Sequence, residues 1–281
     1  MGVEMCSVGL RRYLVAVYPV LLTMVLAMVF QAMFAGVMLP QPPLTPLEEE
    51  GDDVAVLGSP APYLNSLLVI AVMFIGSLAM LWLIRYRRAL AVIVSLVLFA
   101  TATSVTFLLL FVSTSLGEDV LAGVSILVGG MVLAGVFSRK DVFNVLAAAY
   151  VASASGVVFG SSLPFWTSLV LLAAVSVYDV VAVFRGHLKR LGDMDMAELR
   201  GLVVTVEGFS IGLGDLFFYS VVLSFSVNNL GWLPGIASSA GLIIGYLVTI
   251  KLAETRPVFP GLPLTLLAAV GFAFISYLIP M

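Results

Sequence analysis

The chain has 281 residues, of which 62% are apolar and only 10% charged, with a mean hydropathy of +1.17. Soluble proteins carry about 25% charged residues, so a water-soluble globule is excluded and the chain reads as an integral, multi-pass membrane protein. The 13 basic and 16 acidic side chains form no basic arm or stripe suited to nucleic acid, while the single cysteine, Cys6, and single histidine, His187, exclude an intramolecular disulfide and a His/Cys metal site.

A membrane-spanning helix needs about 20 mostly apolar residues. Nine such segments are predicted, at residues 14–38, 63–84, 89–116, 120–137, 142–159, 165–184, 211–230, 233–252 and 262–278. The runs are continuous rather than alternating, which excludes a β-barrel. The first is longer than the apolar region of a cleavable signal peptide and is expected to be retained. The expected fold class is therefore an all-α polytopic membrane protein, one nine-span domain over residues 1–281. Spans one to six occupy 14–184, a cytoplasmic loop follows at 186–210, and spans seven to nine occupy 211–278.

Basic residues are held on the cytoplasmic side of a membrane. Here Arg11 and Arg12 precede span one, and Arg85, Arg87 and Arg88 follow span two. Arg139 and Lys140 follow span four, Arg185, Lys189, Arg190 and Arg200 follow span six, and Lys251 and Arg256 lie at the end of span eight. With nine spans, all 13 basic residues fall on one face. Glu48, Glu49, Glu50, Asp52, Asp53, Glu118 and Asp119 fall on the other. The N-terminus is thus expected in the cytoplasm and the C-terminus outside.

Two acids remain inside the membrane, Asp179 in span six and Asp215 in span seven. A carboxylate at a span's centre costs about 2.5–3.5 kcal/mol on insertion scales and by default marks a functional site. Asp179 lies six residues before Arg185, about 9 Å from the inner end, and Asp215 lies eight residues after Glu207, about 12 Å in. The two antiparallel spans would present their carboxylates at similar depth. Two acids brought close in a poorly solvated site share one proton. Such a dyad can act as general base toward a water and as general acid toward a leaving amide nitrogen, which is aspartyl peptide hydrolysis. The same carboxylates also suit a proton- or cation-coupled transporter or leak channel, or hydrogen bonding between helices.

Local motifs bear on that choice. Span six carries Tyr178-Asp179, span seven opens with Gly212-Leu213-Gly214-Asp215, and span nine is headed by Pro260-Gly261-Leu262. In that order, on spans six, seven and nine of nine, these motifs resemble the presenilin and signal peptide peptidase family, in the microbial, uncut form. The resemblance implies an intramembrane aspartyl protease with Asp179 and Asp215 as its catalytic pair. It also implies an active-site motif at Pro260, Gly261 and Leu262, and substrates that are single-pass transmembrane proteins or peptides within the lipid bilayer. No cofactor is implied, and accessory subunits are not evident. The predicted orientation is the presenilin one, favouring substrates whose N-terminus lies outside. Gly261 stands where the family usually has Ala, and the 186–210 loop is far shorter than that of eukaryotic presenilins, so an uncut chain is the expected active form.

Around this pair, Gly212 and Gly214 offer close approach before Asp215, with Leu213 between them, and the Tyr178 hydroxyl is placed to donate near Asp179. Pro260 and Pro263 predict an extended or kinked start to span nine. Residues 202–206, rich in β-branched side chains and bounded by Gly201 and Gly208, read as a short strand. Val203, Val204 and Val206 in it are candidates for pairing with an unwound substrate by strand addition. Gly241 and Gly245 suit close helix packing. Residues 39–62, with their prolines and acids, read as a mobile outer loop.

Overall fold

The computed structural model describes residues 2–37, 39–49, 53–138, 140–184, 201–206, 209–254 and 259–279. Its helices are α1 (Gly2–Met33), the short α2 (Asp53–Gly58), α3 (Ala61–Leu83), α4 (Arg87–Ser113), α5 (Glu118–Val136), α6 (Asp141–Ser162) and α7 (Phe165–Phe184). Strands β1 (Val203–Val206) and β2 (Phe209–Gly212) then precede α8 (Leu213–Leu230), α9 (Trp232–Ala253) and α10 (Leu262–Leu278). Among the described residues, eight helices are long and apolar enough to cross a membrane, and α10 is a further apolar helix of 17 residues. Only residues 201–206 and 209–210 of the expected 186–210 loop are described, and Arg139, Arg185, His187, Lys189, Arg190, Arg200 and Arg256 lie outside the described residues, as do Glu50, Asp52, Glu207 and Gly208.

Several boundaries differ from expectation, among them the end of α4, at Ser113 rather than residue 116, and three more. Helix α1 ends at Met33, and a turn through Gly36 follows in place of the helix expected to residue 38. Helix α6 continues to Ser162, three residues past its predicted end. The third is the start of α8, at Leu213 rather than residue 211, because Ile211 and Gly212 belong to β2.

Helix α8 is the centre of the bundle, packed by α6, α9, α1, α10 and α7. Lipid tails are as apolar as the side chains, so helices associate in a membrane through close packing and polar contacts rather than through the hydrophobic effect. Gly156 and Gly160 of α6 provide the packing. A methyl carbon on Gly156 would come within 2.6 Å of Ser220 Cβ, and one on Gly160 within 2.9 Å of Ser224 Cβ. On the opposite flank, Gly245 lets α9 approach the Leu264 and Thr265 backbone of α10 and Gly241 does the same at Ala268, so this glycine pair serves internal packing. Polar contacts cluster near the C-terminal ends of α1, α6 and α8. Gln31 donates to Asn228 and accepts from Ser161 at 3.3 Å, and Ser161 meets Ser224 at 2.9 Å. Gly231, with φ of 107°, supplies the left-handed residue that turns α8 into α9.

The strands form an antiparallel hairpin that pairs Val203 with Gly212 and Val206 with Phe209. Non-helical backbone at membrane depth is tolerated where protein buries it, and here Val204 and Ile211 are both buried, with β1 lying on α6.

The described part of the 39–62 segment is anchored in place of the mobile outer loop expected. Glu49 accepts hydrogen bonds from the Trp166 and Thr167 amides at 3.1 and 2.6 Å, capping α7. Asn65 of α3 exchanges two hydrogen bonds with the backbone of Leu47 and donates to Thr167 Oγ1. A carboxylate at a helix N-terminus satisfies otherwise unpaired amides and opposes the positive end of the helix dipole.

Candidate active site

Asp215 is the third residue of α8, whose N-cap is Gly212. This spacing lets an acid reach back to the N-cap amide, the acidic half of a capping box, and the Asp215 carboxylate accepts a hydrogen bond from Gly212. Because Gly212 also closes the β-ladder opposite Val203, the hairpin fixes where α8 starts and hence where Asp215 lies. The ladder continues one residue further, with the Leu213 amide donating to the Leu202 carbonyl at 2.9 Å.

Asp179 comes from the last turns of α7 and is held by a different segment. The Leu262 amide, at the first residue of α10, donates to Asp179 Oδ2 at 3.0 Å. Its neighbour Gly261 also hydrogen-bonds Asp179 through its backbone and lies beside the second acid, where a methyl carbon would stand 3.8 Å from Asp215 Oδ2. One turn, Pro260-Gly261-Leu262, therefore holds Asp179 and lies next to Asp215, and the two acids interact electrostatically. The turn is itself braced: Thr265 Oγ1 donates to the Gly261 and Leu262 carbonyls at 2.9 and 2.8 Å, and Pro260 is buried.

The structure thus unites Asp179, Asp215, Gly212, Pro260, Gly261 and Leu262. Gly214 stands beside the acid, and among the described residues beyond its own helical turn no atom lies within 4 Å of where its methyl carbon would be, so this flank of Asp215 is open. Leu213 packs into the apolar core. The Tyr178 hydroxyl, expected near Asp179, instead donates to Ser77 Oγ of α3 at 3.1 Å, because on a helix adjacent residues point about 100° apart. Val203 and Val206 are half-buried and Val204 is buried at 2% exposure, so Val204 has only its backbone to offer a partner.

Sequence reasoning missed β2 and Tyr219. Two β-prone runs, Val203–Val206 and Phe209–Gly212, separated by two residues that include Gly208, are a hairpin signal. Tyr219, one turn past Asp215, is almost fully buried within electrostatic reach of both acids, and it hydrogen-bonds to Thr265. No sequence signal separates it from a packing tyrosine.

The sequence pattern of the family described as "Signal-peptide peptidase, presenilin aspartyl protease" matches residues 44–203, more than half of the chain. The chain belongs to that family. The match includes Asp179 and ends before Asp215. Presenilin-B of Dictyostelium discoideum is 29% identical over 127 residues, which cover 41% of this chain and 26% of that protein, so the chain matches about a quarter of its relative's length. Two crystal forms of a presenilin family intramembrane aspartate protease share the fold. The C222 form has a TM-score of 0.65 at 22% identity and covers 95% of this chain and 97% of that one. The P2 form has a TM-score of 0.59 at 24% identity, with coverage of 93% and 94%. The architecture is therefore the presenilin-like, all-α, multi-pass membrane fold, reached here with the acids on α7 and α8 and the Pro-Gly-Leu turn on α10.

Proposed function

We propose that the chain is an intramembrane aspartyl protease that hydrolyses peptide bonds within or near transmembrane helices of substrate proteins, with Asp179 and Asp215 sharing one proton and activating one water. The observation that carries this reading is the single turn that holds Asp179 through its backbone amides and lies beside Asp215, with the two acids in electrostatic contact. One ionised carboxylate takes a proton from the water as it attacks the scissile carbonyl, and the protonated partner delivers its proton to the departing amide nitrogen. The Leu262 amide holds Asp179 in orientation through the cycle.

A peptide bond inside a helix must be unwound before water reaches it, and the hairpin supports a place for the unwound strand. Its main chain could accept a substrate strand by edge addition, with Val203 and Val206 beside it and Val204 anchoring β1 to α6. The open flank at Gly214 is the side from which a substrate backbone reaches Asp215. This reading takes the 17-residue α10 as the ninth span, so that one nine-span domain has its N-terminus in the cytoplasm, its C-terminus outside, and every basic residue on the inner face. Substrates are single-pass membrane proteins whose N-terminus lies outside, and the uncut chain is the active form.

Purified protein in bilayers, given a reporter transmembrane helix, is expected to cut within that helix. Asp179→Asn and Asp215→Asn are each expected to lower turnover at least about 100-fold, the scale of lost acid–base catalysis, while unfolding at wild-type temperature. Retained cleavage in either variant would remove that acid from the dyad. Proteoliposomes that pass protons or cations through the wild type and not the variants, with every helix left uncut, would favour a transporter.

A further inference from the structure

A groove of about 610 Å³ opens between α5 and α6, remote from the α7–α8–α10 site. Its walls are apolar, among them Val128, Met131, Phe143 and Leu146. The hydroxyl at its deep end, Tyr150, is already engaged with Thr106 at 2.7 Å and asks for no polar ligand. The floor forms where Gly135 of α5 meets Ala147 of α6, so closely that a methyl carbon on Gly135 would stand 2.9 Å from Ala147 Cβ. On α5 the lining runs from Val128 to Gly135, seven residues or about 10 Å, and continues to Ser138 just past the helix end. That reach fits within one leaflet of a hydrocarbon core about 30 Å thick.

The mouth of the groove carries a charge. Lys140, immediately before α6, is exposed, and its ammonium lies 5.8 Å from the centroid of the Phe143 ring that lines the groove. Ser138, the polar residue at that end, accepts a hydrogen bond from the Lys140 amide at 3.2 Å, which ties the cation to the groove's edge. An apolar slot that lies within one leaflet and ends beside an exposed ammonium matches a molecule with a hydrocarbon chain and an anionic head.

We propose that this groove is a binding site for one anionic phospholipid, its acyl chain lying between α5 and α6 and its phosphate paired with Lys140. Basic residues at the mouth of an interhelical pocket recognise anionic headgroups, each contributing about 1 kcal/mol, or about fivefold in affinity. The proposal is independent of peptidase activity and of which membrane face is cytoplasmic.

Native mass spectrometry of the full chain in detergent, titrated with phosphatidylglycerol or phosphatidylcholine, tests it. Wild type is expected to retain one phosphatidylglycerol about fivefold more strongly than phosphatidylcholine. Lys140→Gln should erase that preference, and Met131→Trp, at a position already 67% exposed, should reduce retention of both lipids. Ile275→Trp, lipid-facing on α10, should change neither. Equal retention of the two lipids by wild type, or identical losses in Met131→Trp and Ile275→Trp, would mean ordinary boundary lipid and overturn the proposal. A dimer that Met131→Trp dissociates would likewise overturn it, making a second copy the occupant.

Discussion

Asp179 lies near the end of an unbroken 20-residue helix, whereas Asp215 lies in the first turn of a helix that begins only after a β-hairpin. The supports differ accordingly. Asp215 is held by its own segment, through the Gly212 amide and the ladder that fixes Gly212. Asp179 has its backbone fixed by α7 and its carboxylate oriented by the Leu262 amide of α10, 83 positions away in sequence. One acid is placed by local geometry and the other by a long-range contact, so damage to the head of α10 should disable the pair by way of Asp179.

Leu262→Pro breaks that contact most directly. It deletes the only amide hydrogen of residue 262 and pushes Gly261 away from its helical backbone angles, φ −82° and ψ −38°. Proline at the first helical position does not itself break a helix, so α10 should persist. A hydrogen bond to a charged group contributes about 1.5–3 kcal/mol, and the expected loss of cleavage is about 10-fold to 100-fold. Leu262→Met keeps the amide and should stay within about threefold of wild type, an ordinary outcome for a volume-conserving exchange. Cleavage by Leu262→Pro at the wild-type rate, measured on the reporter helix, would show that Asp179 does not need the Leu262 amide, the Gly261 backbone hydrogen bond being enough.

The same contrast explains what was readable beforehand. The helices were legible because apolar runs as long as a bilayer is thick have few alternatives, and Asp179 and Asp215 because almost every other charge lies at a membrane face. The strand at Val203–Val206 was legible from its β-branched residues. Its partner was not, since Ile211 and Gly212 continue smoothly into an apolar run that predicts helix. The Leu262–Asp179 contact has no local signature; the family resemblance supplied the motif, and only the fold supplied the hydrogen bond. The Tyr178 hydroxyl was misplaced because sequence adjacency is not spatial adjacency on a helix. The outer loop was misjudged because prolines and acids suggest mobility unless a particular carboxylate, here Glu49, finds a helix end to cap.

Gly214→Ala probes the local side of the comparison with a smaller expected effect. Among the described residues beyond its own helical turn, no atom lies within 4 Å of the added methyl group, and alanine is favoured over glycine in a helix by up to about 1 kcal/mol. The unfolding temperature should therefore stay level or rise slightly. If the open flank admits the substrate backbone, cleavage should still fall several-fold, chiefly through weaker substrate binding. A variant that is both more stable and fully active would mean that the substrate approaches Asp215 from another side.

The smallest effect on catalysis is expected at the other end of α7. Glu49 caps its first turn, and Thr167, which makes two of the three contacts to that carboxylate, lies twelve residues before Asp179. That separation is about 18 Å along the helix axis. Glu49→Ala removes the cap and leaves the Trp166 and Thr167 amides to find other acceptors, a loss of about 1 kcal/mol for a helix N-terminus. In a chain of this size the unfolding temperature should fall by about 2–4 °C. The rate of reporter cleavage well below that temperature should be unchanged, because α7 remains fixed by its packing against α3, α10 and α8. A loss of cleavage comparable to that of Leu262→Pro, with the same modest change in stability, would show instead that the outer clamp and the acid form one mechanical unit, and the division between local and long-range support would have to extend along the whole length of α7.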